Sequence, residues 1–109
     1  MIYLASPYTH ADRKVMTHRY EVTKLYTQDK LRSGLCVFSP IVYGRAMEAA
    51  IGHKFEDWLK FNDAVLARCN FVWVLQLDGW EWSRGIAHEL ELAEEIGIPI
   101  SHLYIILSV

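Results

Sequence analysis

Glu89 is the residue whose type and spacing hold the most chemistry. The stretch Gly79–Ala93 reads as a loop leaving a buried strand, followed by the first turns of a helix with Ser83 as its N-cap. At 3.6 residues per turn, Ile86, Leu90, Leu92, Ala93, Ile96 and Gly97 share one face, while His88, Glu91, Glu94 and Glu95 take the other. Glu89 falls inside the apolar arc, between Ile96 and Ala93. A carboxylate turned toward a core is costly unless something offsets it. The nearby helix start favours negative charge. Gly85, four residues earlier on the same face, leaves open the place over which Glu89 leans. The functional reading is an ionised carboxylate aimed into a pocket at the end of a sheet. The plain reading is a core-edge Glu that snorkels or pairs with an Arg.

Two carboxylates beside a sugar carbon are the usual equipment for cleaving a glycosidic bond. One attacks the anomeric carbon and the other protonates the leaving group. Glu89 is the first candidate. The second is expected from the helix before the central strand, where Asn62 lies within the apolar face and Asp63 at its edge. Asp63 is equally explained as a solvated residue of an amphipathic helix. Ser83 with the amides of Arg84 and Gly85 can hold an anion, although N-capping alone accounts for it. Ser6 and Tyr8 can donate to a sugar or base, or simply form a turn at Ser6-Pro7. Trp80 and Trp82 suit stacking on a base, covering apolar surface or a dimer contact. Arg13, Lys14, His18 and Arg19 read as a solvated helix face.

The elements that must position these residues alternate. Met1–Ala5 is a strand, about 11–32 a helix stopped by Ser33-Gly34, Leu35–Ser39 a strand closed by Pro40, and Phe55–Cys69 a helix. Phe71–Leu77 is an apolar run suited to a central strand, the Ser83 helix follows and ends at Gly97, and Ile98–Leu107 is a last strand. Between them, Ile41–Gly52 reads as a long loop holding a short helix, Arg45–Ala50. The alternation predicts a parallel α/β sheet with right-handed crossovers. Ligands then bind at the carboxyl ends of the strands, here Ala5–Tyr8, Ser39–Tyr43 and Asp78–Gly85.

A chain of 109 residues suits one domain, and 52% hydrophobic residues exclude a disordered one. A net charge of −2 gives no basic balance for a nucleic-acid backbone or an anionic membrane. No charged-then-apolar leader is seen, and no apolar run nears the roughly 18 residues of a membrane span. Cys36 and Cys69 read as buried thiols of a reduced cytoplasm. The histidines show no ligand spacing, so no metal site is expected.

Three segments carry a resemblance: Ile2-Tyr3-Leu4-Ala5-Ser6-Pro7-Tyr8, Cys36-Val37-Phe38-Ser39-Pro40, and Gly79 through Glu89. They resemble the nucleoside 2-deoxyribosyltransferase-like superfamily, above all its small bacterial and phage branch. Its characterised relatives are nucleoside deoxyribosyltransferases and deoxynucleoside 5'-monophosphate N-glycosidases. The likeness covers nearly the whole chain. It implies a three-layer α/β fold of Rossmann or flavodoxin type, with four or five parallel strands. The family pattern of Gly, three residues, then Glu-Leu is met by Gly85 and Glu89-Leu90, which implies Glu89 as nucleophile. Ser83 matches a Ser that helps hold the 5'-phosphate, and Tyr3 a Tyr near the nucleophile and sugar. Counting eight residues back from Asn70 to the family's acid lands on Asn62, with Asp63 one further on, so both positions stay open. The resemblance further implies a small-molecule nucleoside or nucleotide substrate, no cofactor, and a homodimer or higher homo-oligomer whose neighbouring subunit completes the site.

Overall fold

A computed structural model of the chain describes residues 1–51 and 55–105. Its elements run β1 (Ile2–Ala5), α1 (Arg13–Arg32), β2 (Val37–Phe38), α2 (Pro40–Ile51), α3 (Phe55–Leu66), β3 (Phe71–Leu75), a 3-10 turn (Trp80–Trp82), α4 (Arg84–Ile96) and β4 (Ile100–Leu103). The four strands form one sheet in the order β2-β1-β3-β4, parallel throughout. The connections therefore leave in opposite directions after β1 and into β3, which puts the topological switch point between these two strands. Among the described residues, no helix is long and apolar enough to cross a membrane.

Strand alternation sorts the core into two layers. Ile2 and Leu4 of β1 join Val37 and Leu75 under Tyr26 of α1. Tyr3 and Ala5 point the other way and join Val72 and Val74 against Leu66 of α3 and Ile86 and Ala93 of α4. This is a three-layer α/β fold with helices on both faces, as the alternating pattern predicts. β1 is buried along its whole length, as a central parallel strand must be.

The local signals explain most element ends. The Asp12 carboxylate accepts from the Lys14 amide at 2.8 Å and starts α1. Ser33 is the C-cap and Gly34 follows with φ of 90°, so the helix stops at the expected Ser-Gly pair. Ser83 and Gly97 bound α4 as expected.

The main departure is α2. Ser39 Oγ accepts from the Val42 amide at 3.2 Å, and Pro40 occupies the first helical position. The Ser-Pro pair therefore starts a helix as well as closing a strand, and α2 absorbs the expected short helix and the loop around it. β2 shrinks to two residues and β4 to four. Tyr104 and Ile105 lie beyond β4, and Ile106 and Leu107 lie outside the described residues, as does Gly52. Cys69 is buried but Cys36 is exposed, which corrects the expectation of two buried thiols. Cys36 precedes β2, outside both core layers.

Candidate functional site

α4 positions the central residue. The Ser83 hydroxyl oxygen accepts from the Ile86 amide at 3.2 Å, which fixes the helix start and leaves its own proton free to donate. Ile86 and Ala93 then point into the core. Glu89 lies between them at helical spacing, so its carboxyl is carried inward toward Tyr3 of β1. The residue as a whole is half-buried, while its carboxyl sits in the interior.

Burial pushes the Glu89 carboxyl up to about 8, the neighbouring Tyr3 hydroxyl draws it down, and the charge of Asp63 pushes it further up. Burial, followed by the Glu89 charge, pushes the Tyr3 phenol far above its ordinary value. The two groups are close enough to act on one another, yet the buried Tyr3 hydroxyl forms no hydrogen bond of good geometry. No Lys or Arg among the described residues is ion-paired with Glu89. The inward turn thus agrees with the helical pattern, and the Arg-paired alternative falls away. Burial works against the ionised carboxylate that the sequence leads one to expect, and favours the neutral form of Glu89.

Asp63, on α3, faces the same region from the side. Its two oxygens lie 2.8 and 3.0 Å from Nε2 of His88, the residue just before Glu89. With Asp63 ionised, that nitrogen donates. Helical periodicity assigns His88 to the solvent face, and its side chain is indeed 39% exposed, but the ring still reaches across to α3. Asn62 is half-buried, and its Oδ1 is buried without a hydrogen-bond partner. Of the two candidate acid positions, Asp63 is therefore the one engaged by a proton-bearing side chain.

The remaining predicted residues lie at the carboxyl end of the sheet. Ser6 is buried, with its hydroxyl unpartnered. The Tyr8 hydroxyl accepts from Arg45 Nη1 at 3.3 Å, and that guanidinium lies 4.6 Å from the Tyr20 ring centre. Gly85 is exposed, and a Cβ there would meet only Ser83 Oγ at 3.8 Å, so the expected open place exists. Trp80 packs beside the core and against His102, whereas Trp82 is 85% exposed.

Arg19 is the functional-edge residue that a solvated-face reading misses. It donates from Nη1 to the carbonyls of Tyr8 at 3.4 Å and Thr9 at 3.1 Å, and from Nη2 to that of Asp78 at 2.9 Å. One guanidinium thus ties the loop after β1 to the loop after β3, across the switch point. Gly79 makes this possible, since its φ is 89° and a Cβ would stand 2.5 Å from Arg19 Nη2.

Beside this clamp opens a cleft of about 940 Å³, lined by Thr9, His10, Lys14, His18, Gln76 and Ser83 among others. His10 Nδ1 accepts from the Asp12 amide at 2.9 Å, so the ring proton is on Nε2 and free to donate. Gln76 Oε1 is buried and unpartnered. Of the predicted site residues only Ser83 lines this cleft, while Tyr3, Glu89 and Asp63 lie on the α3/α4 side of the sheet. The start of α4 is where the two regions meet.

The chain belongs to a family described as a domain of unknown function (DUF1937), whose model matches residues 1–104. Comparison with curated proteins gives no match.

Proposed function

From the geometry of this DUF1937 member, we propose that the chain cleaves or transfers the N-glycosidic bond of a (deoxy)nucleoside or its 5'-monophosphate, with Glu89 as nucleophile. One observation carries the reading. A carboxyl group is held inside the protein with no ion-paired Lys or Arg among the described residues, next to an unpartnered phenol and within electrostatic reach of a second carboxylate on another helix. Buried polar groups normally find partners, and groups left without one mark a place where a ligand completes the set.

In this reading an ionised Glu89 oxygen attacks C1' as the bond to the base breaks, and the base nitrogen keeps the electron pair and takes a proton by way of Asp63. A glycosyl ester on Glu89 results. Water resolves it in a hydrolase, and a second base in a transferase. The Tyr3 hydroxyl, unpartnered beside Glu89, would donate to Glu89 or to the sugar ring. Ser83 and the first amides of α4 suit a 5'-phosphate. The chemistry asks for no cofactor, and a second subunit would complete the site, as in the family that the sequence resembles.

The burial that favours a neutral Glu89 and the engagement of Asp63 by His88 favour a second reading, a nucleotide-binding or sensing module with little turnover. Incubation with deoxynucleosides and their 5'-monophosphates, with and without an acceptor base, separates the two. Free or exchanged base that disappears in Glu89→Ala supports the enzyme. Base release that survives this substitution removes the nucleophile. A thermal shift with nucleotide and no release supports the binding module.

A further inference from the structure

We propose that His88 is a positioning residue that supplies, through Asp63, the proton taken up by the leaving base. The inference rests on the N-glycosidic reading above and deepens it. His88 Nε2 is almost equidistant from the two Asp63 oxygens, at 2.8 and 3.0 Å, so the ring is aimed at the centre of the carboxylate. Both side chains keep part of their surface in water, 39% for His88 and 32% for Asp63. A path therefore runs from solvent to the imidazole and on to Asp63, whose charge is felt by Glu89. Successive helical residues are turned by about 100°. Glu89 thus faces β1 while His88 faces α3, and a single turn of α4 carries both the nucleophile and the proton source.

The charges around the pair fit this role. Glu89 of α4 and Tyr3 of β1 face Asp63 from the inside, and Cys69, just after α3, borders Tyr3. These are neutral or negative groups, and His88 is the one basic side chain hydrogen-bonded to Asp63 among the described residues; in the proposed cycle it enters as the imidazolium. As the C1'–N bond breaks, the base nitrogen keeps the electron pair and takes a proton from Asp63, which takes the Nε2 proton. Glu89 bonds to C1', and His88 is left neutral. Water then attacks C1' and frees Glu89, and its proton returns through Asp63 to His88. One N-glycoside and one water give one base and one free sugar, with no other reactant.

The test uses two substrates with the whole protein. A purine deoxynucleoside needs its base protonated, and a p-nitrophenyl 2-deoxyriboside releases a phenolate that does not. We expect His88→Ala and His88→Gln each to lower turnover of the purine deoxynucleoside about 10²-fold, and of the p-nitrophenyl sugar by less than about tenfold. Gln keeps an N–H for Asp63 but cannot pass a proton on. Equal loss on both substrates, or full purine activity in His88→Gln, overturns the proposal while leaving Glu89 as nucleophile. If the wild-type protein opens neither substrate, the N-glycosidic reading itself fails and takes this role with it. An activity-free measurement checks the contact. The NMR signals of the His88 ring nitrogens and protons should shift in Asp63→Asn, and unchanged signals overturn the contact.

Discussion

Glu89→Gln removes a charge that the fold works against, and the size of the effect follows from the site. The folded carboxyl titrates at about 8 against an ordinary 4.5. Above pH 4.5 the unfolded chain therefore releases a proton that the folded chain retains up to about 8. Folding then takes up a proton, so stability falls as pH rises across this window and levels off outside it. At pH 7 the unfolded state gains about 2.5 powers of ten, or about 3 kcal/mol at about 1.4 kcal/mol per tenfold. Partial exposure of the residue lets water screen some of this, which leaves about 2 kcal/mol. Gln is neutral in both states and has nearly the same shape, so the variant should be more stable by that amount at pH 7. Urea unfolding reads it directly. With a slope of about 1–3 kcal/mol per molar, the midpoint should rise by about 1 M at pH 7. The two proteins should converge near pH 4, where Glu89 is protonated in both states. Parallel pH curves, or a Gln variant that is weaker at pH 7, would show that Glu89 is not held in a desolvated setting.

Other consequences test the rest of the site. On the p-nitrophenyl sugar, whose leaving group needs no proton, kcat/KM should climb about tenfold per pH unit toward 8 and then flatten if Glu89 must ionise before attack. Tyr3→Phe should move that climb to higher pH, because the phenol draws the Glu89 value down; an unmoved profile would deny the contact. Gly79→Ala should cost about 1–3 kcal/mol in denaturant unfolding, from its left-handed backbone and the crowding of Arg19. Combining it with Arg19→Ala should cost less than the sum of the two, and strict additivity would count against the clamp. Ser83→Ala should cost about 1 kcal/mol as a lost cap. In binding titrations it should weaken 5'-monophosphates more than nucleosides, and an equal effect would remove phosphate from that helix end.

Much of the frame is legible in the chain because it is written in short periods. The 3.6-residue pattern of α4 turns Glu89 inward, and Ile86 and Ala93 beside it are indeed buried. The apolar run Phe71–Leu77 marks a central strand, which the fold realises over Phe71–Leu75 with Val72, Val74 and Leu75 buried. The start of α2 was legible too, since Ser39-Pro40 is a helix-opening pair, but Pro also ends strands and the two meanings compete at one position. What no periodicity reveals is contact between distant segments. Arg19 earns its role from an Asp78 carbonyl 59 residues away, delivered by a turn that depends on Gly79. His88 sits on the wet side of its own helix and meets Asp63 because α3 packs alongside. The Glu89 titration is likewise a product of burial, which a pattern locates but does not weigh.

The pairing of β1 with β3 places Tyr3 opposite Val72 and Leu4 opposite Trp73. A slip of one residue along that ladder would exchange Tyr3 for its neighbour and send the phenol beneath α1, on the far side from Glu89. An aliphatic side chain would then stand where the acid expects a hydroxyl. Correct zippering of two four-residue segments is thus also what brings the reactive groups face to face, and a misregistered molecule would lose its chemistry while keeping its outline.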